Sequence, residues 1–196
     1  MALETEVKIY VADLGAVRQQ LEHLNAVLVS ERTFEHNIRF DDTNQRLIRR
    51  GVVLRLRQDG GVRLTYKESA QQHAGGITSR VELETEVGDF DTMYQIFIKL
   101  GYMVNMVYDK YRTTYELADT EIVLDEMPYG NFVEIEGDPD AIEHVIKLLG
   151  LQSAPRMESS YVWLFERLKR RLGLSFRDLT FENFKGVIVP AEAFRT

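Results

Sequence analysis

The chain has 196 residues, enough for one large core and too few for two comfortable domains. Apolar residues at 44% and charged residues at 28% exclude wholesale disorder, and the lack of cysteine excludes disulfides, zinc–thiolate sites and thiol catalysis. A formal charge of −7 argues against broad nucleic-acid binding, and no apolar run approaches the roughly 20 residues that span a bilayer.

The first predicted strand covers 3–11 and alternates, with Leu3, Thr5, Val7 and Ile9 on one face and Glu4, Glu6, Lys8 and Tyr10 on the other. Nothing basic and then apolar precedes it, so the expected setting is the cytoplasm, with no membrane contact. Leu14, Val17, Leu21 and Leu24 recur at helical spacing behind Asp13, a suitable N-cap. A short strand is expected at 38–41. Stronger strands follow at 54–57, 62–68 and 80–87, the first two joined by the turn Asp59-Gly60-Gly61. Residues 69–76 are polar, end in Gly-Gly and predict a mobile loop.

A helix is predicted over 91–100, stopped by Gly101, then strands near 110–117, 121–126 and 131–136. Asp138-Pro139 opens another helix that ends at Gly150. Residues 159–171 are amphipathic, with Trp163 and Phe165 expected in the core and Arg167, Lys169, Arg170 and Arg171 forming a solvated basic end. One more short helix is expected at 176–184. No low-complexity linker interrupts the chain. It reads as one domain over 1–165 with a helical extension of the same domain over 166–196.

Charge is unevenly distributed. Between Arg46 and Arg80, eight Arg or Lys are opposed only by Asp59 and Glu68, a local balance of +6. A cationic third in an acidic chain either pairs with its own carboxylates or meets an anion. The strand faces sharpen the question, because side chains two apart share a face. Arg55 aligns with Arg57, Arg63 with Lys67, and Arg80 with Glu82, Glu84 and Glu86; Lys110 aligns with Arg112, Glu121 with Asp125, and Glu134 with Glu136. Each strand thus has one apolar and one ionic face. An open sheet would leave the ionic face in water; a closed barrel would turn it into the lumen. Period-two alternation admits both.

The opening Glu4-Thr5-Glu6-Val7-Lys8 resembles the Glu-x-Glu-x-Lys signature of the CYTH family, the triphosphate tunnel metalloenzymes. Phe40-Asp41, Leu54-Arg55-Leu56-Arg57, Thr65-Tyr66-Lys67, Arg80-Val81-Glu82-Leu83-Glu84 and Lys110-Tyr111-Arg112 resemble its later motifs in order. So do Leu124-Asp125, Phe132-Val133-Glu134-Ile135-Glu136 and Ser160-Tyr161, and the likeness covers roughly 3–165. The resemblance implies an α+β fold: a closed eight-stranded antiparallel β-barrel, open as a tunnel, with helices packed outside. It further implies a triphosphate bound inside through a divalent metal. Activities in the family include class IV adenylyl cyclase, thiamine-triphosphatase and inorganic triphosphatase.

On that resemblance, Arg55, Arg57, Lys67, Arg80, Lys110 and Arg112 are the expected triphosphate clamps. Guanidinium forks and ammonium point charges both suit phosphate oxygens. Glu4, Glu6, Glu84, Asp125, Glu134 and Glu136 are the expected ligands of Mg²⁺ or Mn²⁺, because carboxylates without His or Cys select hard cations. Glu4, Glu6 and Lys8 form the expected catalytic group, with Lys8 positioning or deprotonating a water. The expected substrate is tripolyphosphate, ATP or thiamine triphosphate, hydrolysed or, for ATP, cyclised to cyclic AMP and pyrophosphate. A non-catalytic nucleotide- or polyphosphate-binding module is a further reading, and a homodimer is expected as a partner state of the chain under any of these readings. Arg63 lies outside the matched motifs and reads as a structural ion pair. His36-Asn37 departs from the acidic residue that many relatives carry. From Leu172 onward the chain extends past the likeness, where it is expected to plug or lid one mouth, with Lys185 reaching inside.

Overall fold

The computed structural model describes residues 2–190 and 193. Nine strands form among the described residues: β1 (Ala2–Val11), β2 (Val27–Asp42), β3 (Val53–Gln58), β4 (Val62–Lys67), β5 (Gln71–Gln72), β6 (Ile77–Glu86), β7 (Tyr102–Leu117), β8 (Thr120–Met127) and β9 (Gly130–Glu136). Their order is β1-β9-β8-β7-β2-β3-β4-β6, and β6 pairs back onto β1, so eight strands close into a barrel. Every pairing among the named strands is antiparallel. Short β5 is the extra piece, lying against the first half of β6. The closed architecture therefore holds, and the ionic faces point inward.

Five α-helices flank the barrel among the described residues: α1 (Leu14–His23), α2 (Arg46–Arg49), α3 (Phe90–Lys99), α4 (Pro139–Leu148) and α5 (Tyr161–Leu172). The longer ones start at side-chain caps, of which Asp13 and Asp138 are those expected from the sequence. Asp13, Asp89, Asp138 and Ser160 each accept a backbone N–H from the first turn that follows. No helix among the described residues is long and apolar enough to cross a membrane.

Among the described residues the core falls into three clusters, two on the outside of the barrel and one that closes an end of it. Val7, Ile9, Ile122 and Ile135 pack under α1 and α4 through Leu21, Ile142 and Ile146. Phe40 and Leu56 pack under Phe97 of α3. At one end of the barrel, Tyr108, Phe132 and Met127 meet Phe165 and Leu168 of α5 together with Leu179.

That last cluster explains the C-terminal segment. On one side, Tyr10 N–H donates to Pro155 O at 3.0 Å and Met157 N–H to Lys8 O at 2.7 Å. On the other, Leu179 exchanges two bonds of 2.9 Å with Val107 and Asp109 on β7, beyond the point where β8 stops pairing. The chain between these anchors spans the gap from β1 to β7 and covers that end of the barrel.

Several expectations need correction. Residues 176–184 form turns and bends rather than a helix, because their apolar residues serve the Leu179 bridge and the aromatic cluster. Lys185 pairs with Glu182 at the surface and does not enter the barrel. Trp163 is 50% exposed, since Tyr161, Leu164, Phe165 and Leu168 occupy the buried stripe and position 163 falls beside it. The strand expected at 38–41 begins at Val27; its first half escapes an alternation search because Val27, Leu28 and Val29 are all exposed. Residues 69–76 contain β5 and a 3₁₀ turn, tied by His73 to Ser79 and by Arg156 to Gly75 O. Positions 191, 192 and 194–196 of the predicted extension lie outside the described residues.

Candidate functional site

Closure brings inward side chains from every barrel strand around one cavity of about 330 Å³. Glu4, Glu6 and Lys8 come from β1, Arg55 and Arg57 from β3, Lys67 from β4, and Arg80, Glu82 and Glu84 from β6. Lys110 and Arg112 come from β7, and Glu134 and Glu136 from β9. The site residues expected from sequence therefore share one space, apart from Asp125, which is fully buried in the wall behind it.

At the covered end, Lys8 Nζ lies 3.1 Å from Glu134 Oε1 and 3.9 Å from Glu6 Oε1, and 4.4 Å from the ring centre of Tyr161. Burial works against its charge, but Glu134 and then Glu6 outweigh burial and hold its pKa above the ordinary lysine value. Lys8 is thus an ammonium at neutral pH, suited to steadying charge rather than to taking a proton.

Asp125 organises the wall beside it. Its carboxylate accepts from Lys110 Nζ at 3.0 Å, from Arg112 at 2.8 and 2.6 Å, and from the Tyr161 hydroxyl at 2.8 Å. Arg112 also reaches Glu134 at 2.7 Å. With all of these donors on it, Asp125 aims two cations and α5 rather than facing the open space. Burial alone would make these charges expensive; mutual pairing makes them tolerable.

Nearer the middle, Lys67 donates to Glu4 at 2.9 and 3.1 Å and pairs with Glu82, while Arg80 reaches Glu4 at 2.9 Å and Glu6 at 3.3 Å. Burial would raise the Glu4 carboxyl, yet Lys67 and Arg80 bring it down to about 2. Glu82 moves the other way, raised by burial and by its hydrogen bond with Glu4. Arg55 and Arg57 share Glu84 at 3.4 and 3.1 Å, and Thr65 links them, accepting from Arg55 at 3.0 Å and donating to Glu84 at 2.8 Å. Arg63 stands at the edge, bound to Asp59 at 2.5 Å.

The opposite mouth is acidic. Strand register sets Glu6 across from Glu136, and Glu136 across from Glu121. No cation pairs with Glu136 or Glu121 among the described residues. Burial, followed by Glu4, Glu121 and Glu6, pushes the Glu136 carboxyl up to about 7. All-oxygen donors with uncompensated negative charge are the chemistry that a hard divalent cation satisfies. Among the described residues, however, no three His, Asp or Glu converge closely enough to hold an ion as they lie. The donor set fits a metal; it is not preassembled.

Three inward residues were not among the site residues expected from sequence. Glu35, Asn37 and Arg39 occupy the lumen face of β2, and Glu35, held at about 2 by Lys110, Arg112 and Arg57 against the effect of burial, supports both cationic groups. Their signal was the alternation Glu35, Asn37, Arg39, Asp41, visible once the strand is extended back past Ile38. Asp41 itself binds the backbone N–H groups of Asp42, Leu47 and Ile48 and so fixes α2. His36 points outward and pairs with Asp109 at 2.8 Å.

Comparison with known proteins agrees with this picture. The family model described as CYTH domain matches residues 2–158. A protein of Methanocaldococcus jannaschii named as a candidate adenylate cyclase is 29% identical over 149 residues, 75% of this chain and 83% of that one. The solved structure of the PH1012 protein from Pyrococcus horikoshii superposes with a TM-score of 0.67 at 26% identity, over 81% of this chain and 96% of that one. A Hippeastrum protein, described as a candidate adenylyl cyclase with a dominant triphosphatase activity, shares the fold at 17% identity and a TM-score of 0.63, covering 83% and 95% of the two chains.

Proposed function

This chain belongs to the CYTH domain family, and on that premise we propose that it hydrolyses a triphosphate held inside its barrel with the aid of Mg²⁺ or Mn²⁺. The observation that carries the reading is the convergence of charge from every barrel strand on one cavity. Arg55, Arg57, Lys67, Arg80, Lys110 and Arg112 hold the phosphate oxygens. Asp125, Glu84 and Glu134 keep those cations oriented. Lys8, kept protonated, steadies the charge that grows on a phosphoryl group as water attacks. Glu6 and Glu136, with Glu4 and Glu121 beside them, would hold the metal, which supplies further positive charge to the phosphate oxygens.

The likeness to a candidate adenylate cyclase supports a second reading, cyclisation of ATP. Hydrolysis is favoured because the cavity offers a nucleobase little to stack on. Among the described residues its aromatic rings are Tyr108 and Tyr161: the hydroxyl of the first accepts from Arg55 at 3.3 Å, and the second has Lys8 over its ring and donates its hydroxyl to Asp125. A base needs a free aromatic face or comparable platform.

The test is a product assay with Mg²⁺ or Mn²⁺ on tripolyphosphate, ATP and thiamine triphosphate, quantifying phosphate, pyrophosphate and cyclic AMP. Phosphate without cyclic AMP is the expected result. Cyclic AMP with equimolar pyrophosphate would establish the cyclase instead. Tight binding with no product from any substrate would make this a non-catalytic module.

A further inference from the structure

Of the eight cations around the cavity, seven have carboxylate partners: Lys8, Arg55, Arg57, Lys67, Arg80, Lys110 and Arg112. The eighth is Arg39 on β2. Among the described residues its guanidinium has neither an ion pair nor a hydrogen bond. Asp41 acts on it at a distance, but the oxygens of Asp41 are engaged by the amides that start α2. Burial, with Arg55 and Arg80 adding repulsion, lowers its pKa against the pull of Tyr108.

More donors without partners stand beside it. Arg39 sits directly across from Arg55 in the β2–β3 register, and Nε of Arg55 is buried without an acceptor. Two residues back on the same face, Asn37 is fully buried behind the lining, with neither its side-chain N–H₂ nor its side-chain oxygen partnered. Buried donors are ordinarily satisfied, and a charge withdrawn from water without a counter-ion costs stability. A group of unsatisfied donors around one unpaired guanidinium matches an oxyanion that the ligand brings.

We propose that Arg39, with Arg55 Nε across from it, is a ligand-binding residue that takes a phosphate oxyanion of the polyphosphate. This rests on the reading of the cavity as a triphosphate site. It differs from the other clamp residues in a measurable respect. Each of those must exchange a carboxylate for the phosphate, whereas Arg39 has none to give up, so its whole interaction appears as affinity.

The experiment titrates tripolyphosphate calorimetrically into the wild type, Arg39→Gln and Arg39→Lys, and records the melting temperature of each without ligand. Arg39→Gln should weaken tripolyphosphate about tenfold or more, in keeping with loss of a charge-assisted bond. Its ligand-free melting temperature should equal or exceed that of the wild type, because an uncompensated charge has gone. Arg39→Lys should recover part of the affinity. Wild-type affinity in Arg39→Gln overturns the proposal alone. A ligand-free melting temperature lowered by more than about 5 °C, unrestored by lysine, makes Arg39 structural and likewise overturns it. Failure of the wild type to bind tripolyphosphate overturns the triphosphate reading and this proposal together.

Discussion

Lys8 and Glu134 sit opposite one another on β1 and β9, their charged atoms 3.1 Å apart, and Glu134 is shared with Arg112. Arg112 keeps Asp125 at 2.8 and 2.6 Å, but Lys8 is poorly served without that carboxylate, since its next acidic oxygen is Glu6 at 3.9 Å. Glu134→Gln should therefore cost about 3 kcal/mol, the range for breaking a buried pair, and lower the melting temperature by roughly 10 °C. In Lys8→Met with Glu134→Gln, the combined loss should be smaller than the sum of the single losses. Melting curves of the four proteins check this, and strict additivity would show that the two residues are not coupled.

Asp125 receives two cations and a phenol in a fully buried position. Tyr161→Phe removes one hydrogen bond and should cost about 1–2 kcal/mol, whereas Asp125→Asn leaves Lys110 and Arg112 undercompensated and should cost about 3 kcal/mol or more. Both are read from chemical denaturation. If Asp125→Asn were as mild as Tyr161→Phe, Asp125 would not be the organiser of this wall.

Glu136 makes stability depend on pH near neutrality. Its folded carboxyl titrates at about 7, above the ordinary value of 4.5, so the folded protein holds this proton longer than the unfolded chain does. Its contribution is fully favourable below about pH 4.5 and fades as pH rises through 7. Between pH 5.5 and 8 the metal-free melting temperature should thus fall by a few degrees more in the wild type than in Glu136→Gln. Added Mg²⁺ should raise the wild-type value more at pH 8 than at pH 6, by binding the ionised carboxylates. Parallel pH curves for the two proteins would count against the acidic mouth.

Leu179 is fully buried where the C-terminal segment joins β7. Leu179→Ala should cost about 2–4 kcal/mol, speed amide exchange at Asp109 and Leu179, and leave turnover at low temperature close to wild type, because Leu179 does not line the lumen. Exchange unchanged at Asp109 would mean the segment is not held by this bridge.

Much of the fold was legible as alternation. Glu4-Thr5-Glu6-Val7-Lys8 and Glu134-Ile135-Glu136 declare their two faces without any knowledge of the rest of the chain, and the caps Asp13 and Asp138 mark where two helices begin. Resemblance of the motifs then pointed to closure, which alternation could not supply. The start of β2 was harder to see, because its exposed apolar residues mask the strand period, and Glu35, ahead of the strand expected at 38–41, went unread with it.

What the sequence by itself determined is which side chains share a face, since a strand places every second residue on one side regardless of its neighbours. Which charges meet was decided only by tertiary structure. Lys67 finds Glu4 across 63 positions of sequence, Arg80 finds it across 76, and Asp125 lies between Arg112 and Tyr161 because β7, β8 and α5 arrive at the same wall. Closure and stagger of the barrel set those meetings. Among the described residues they also left Arg39 without a carboxylate and Glu136 without a cation, and pairwise distance across a curved sheet is a quantity that no local period encodes.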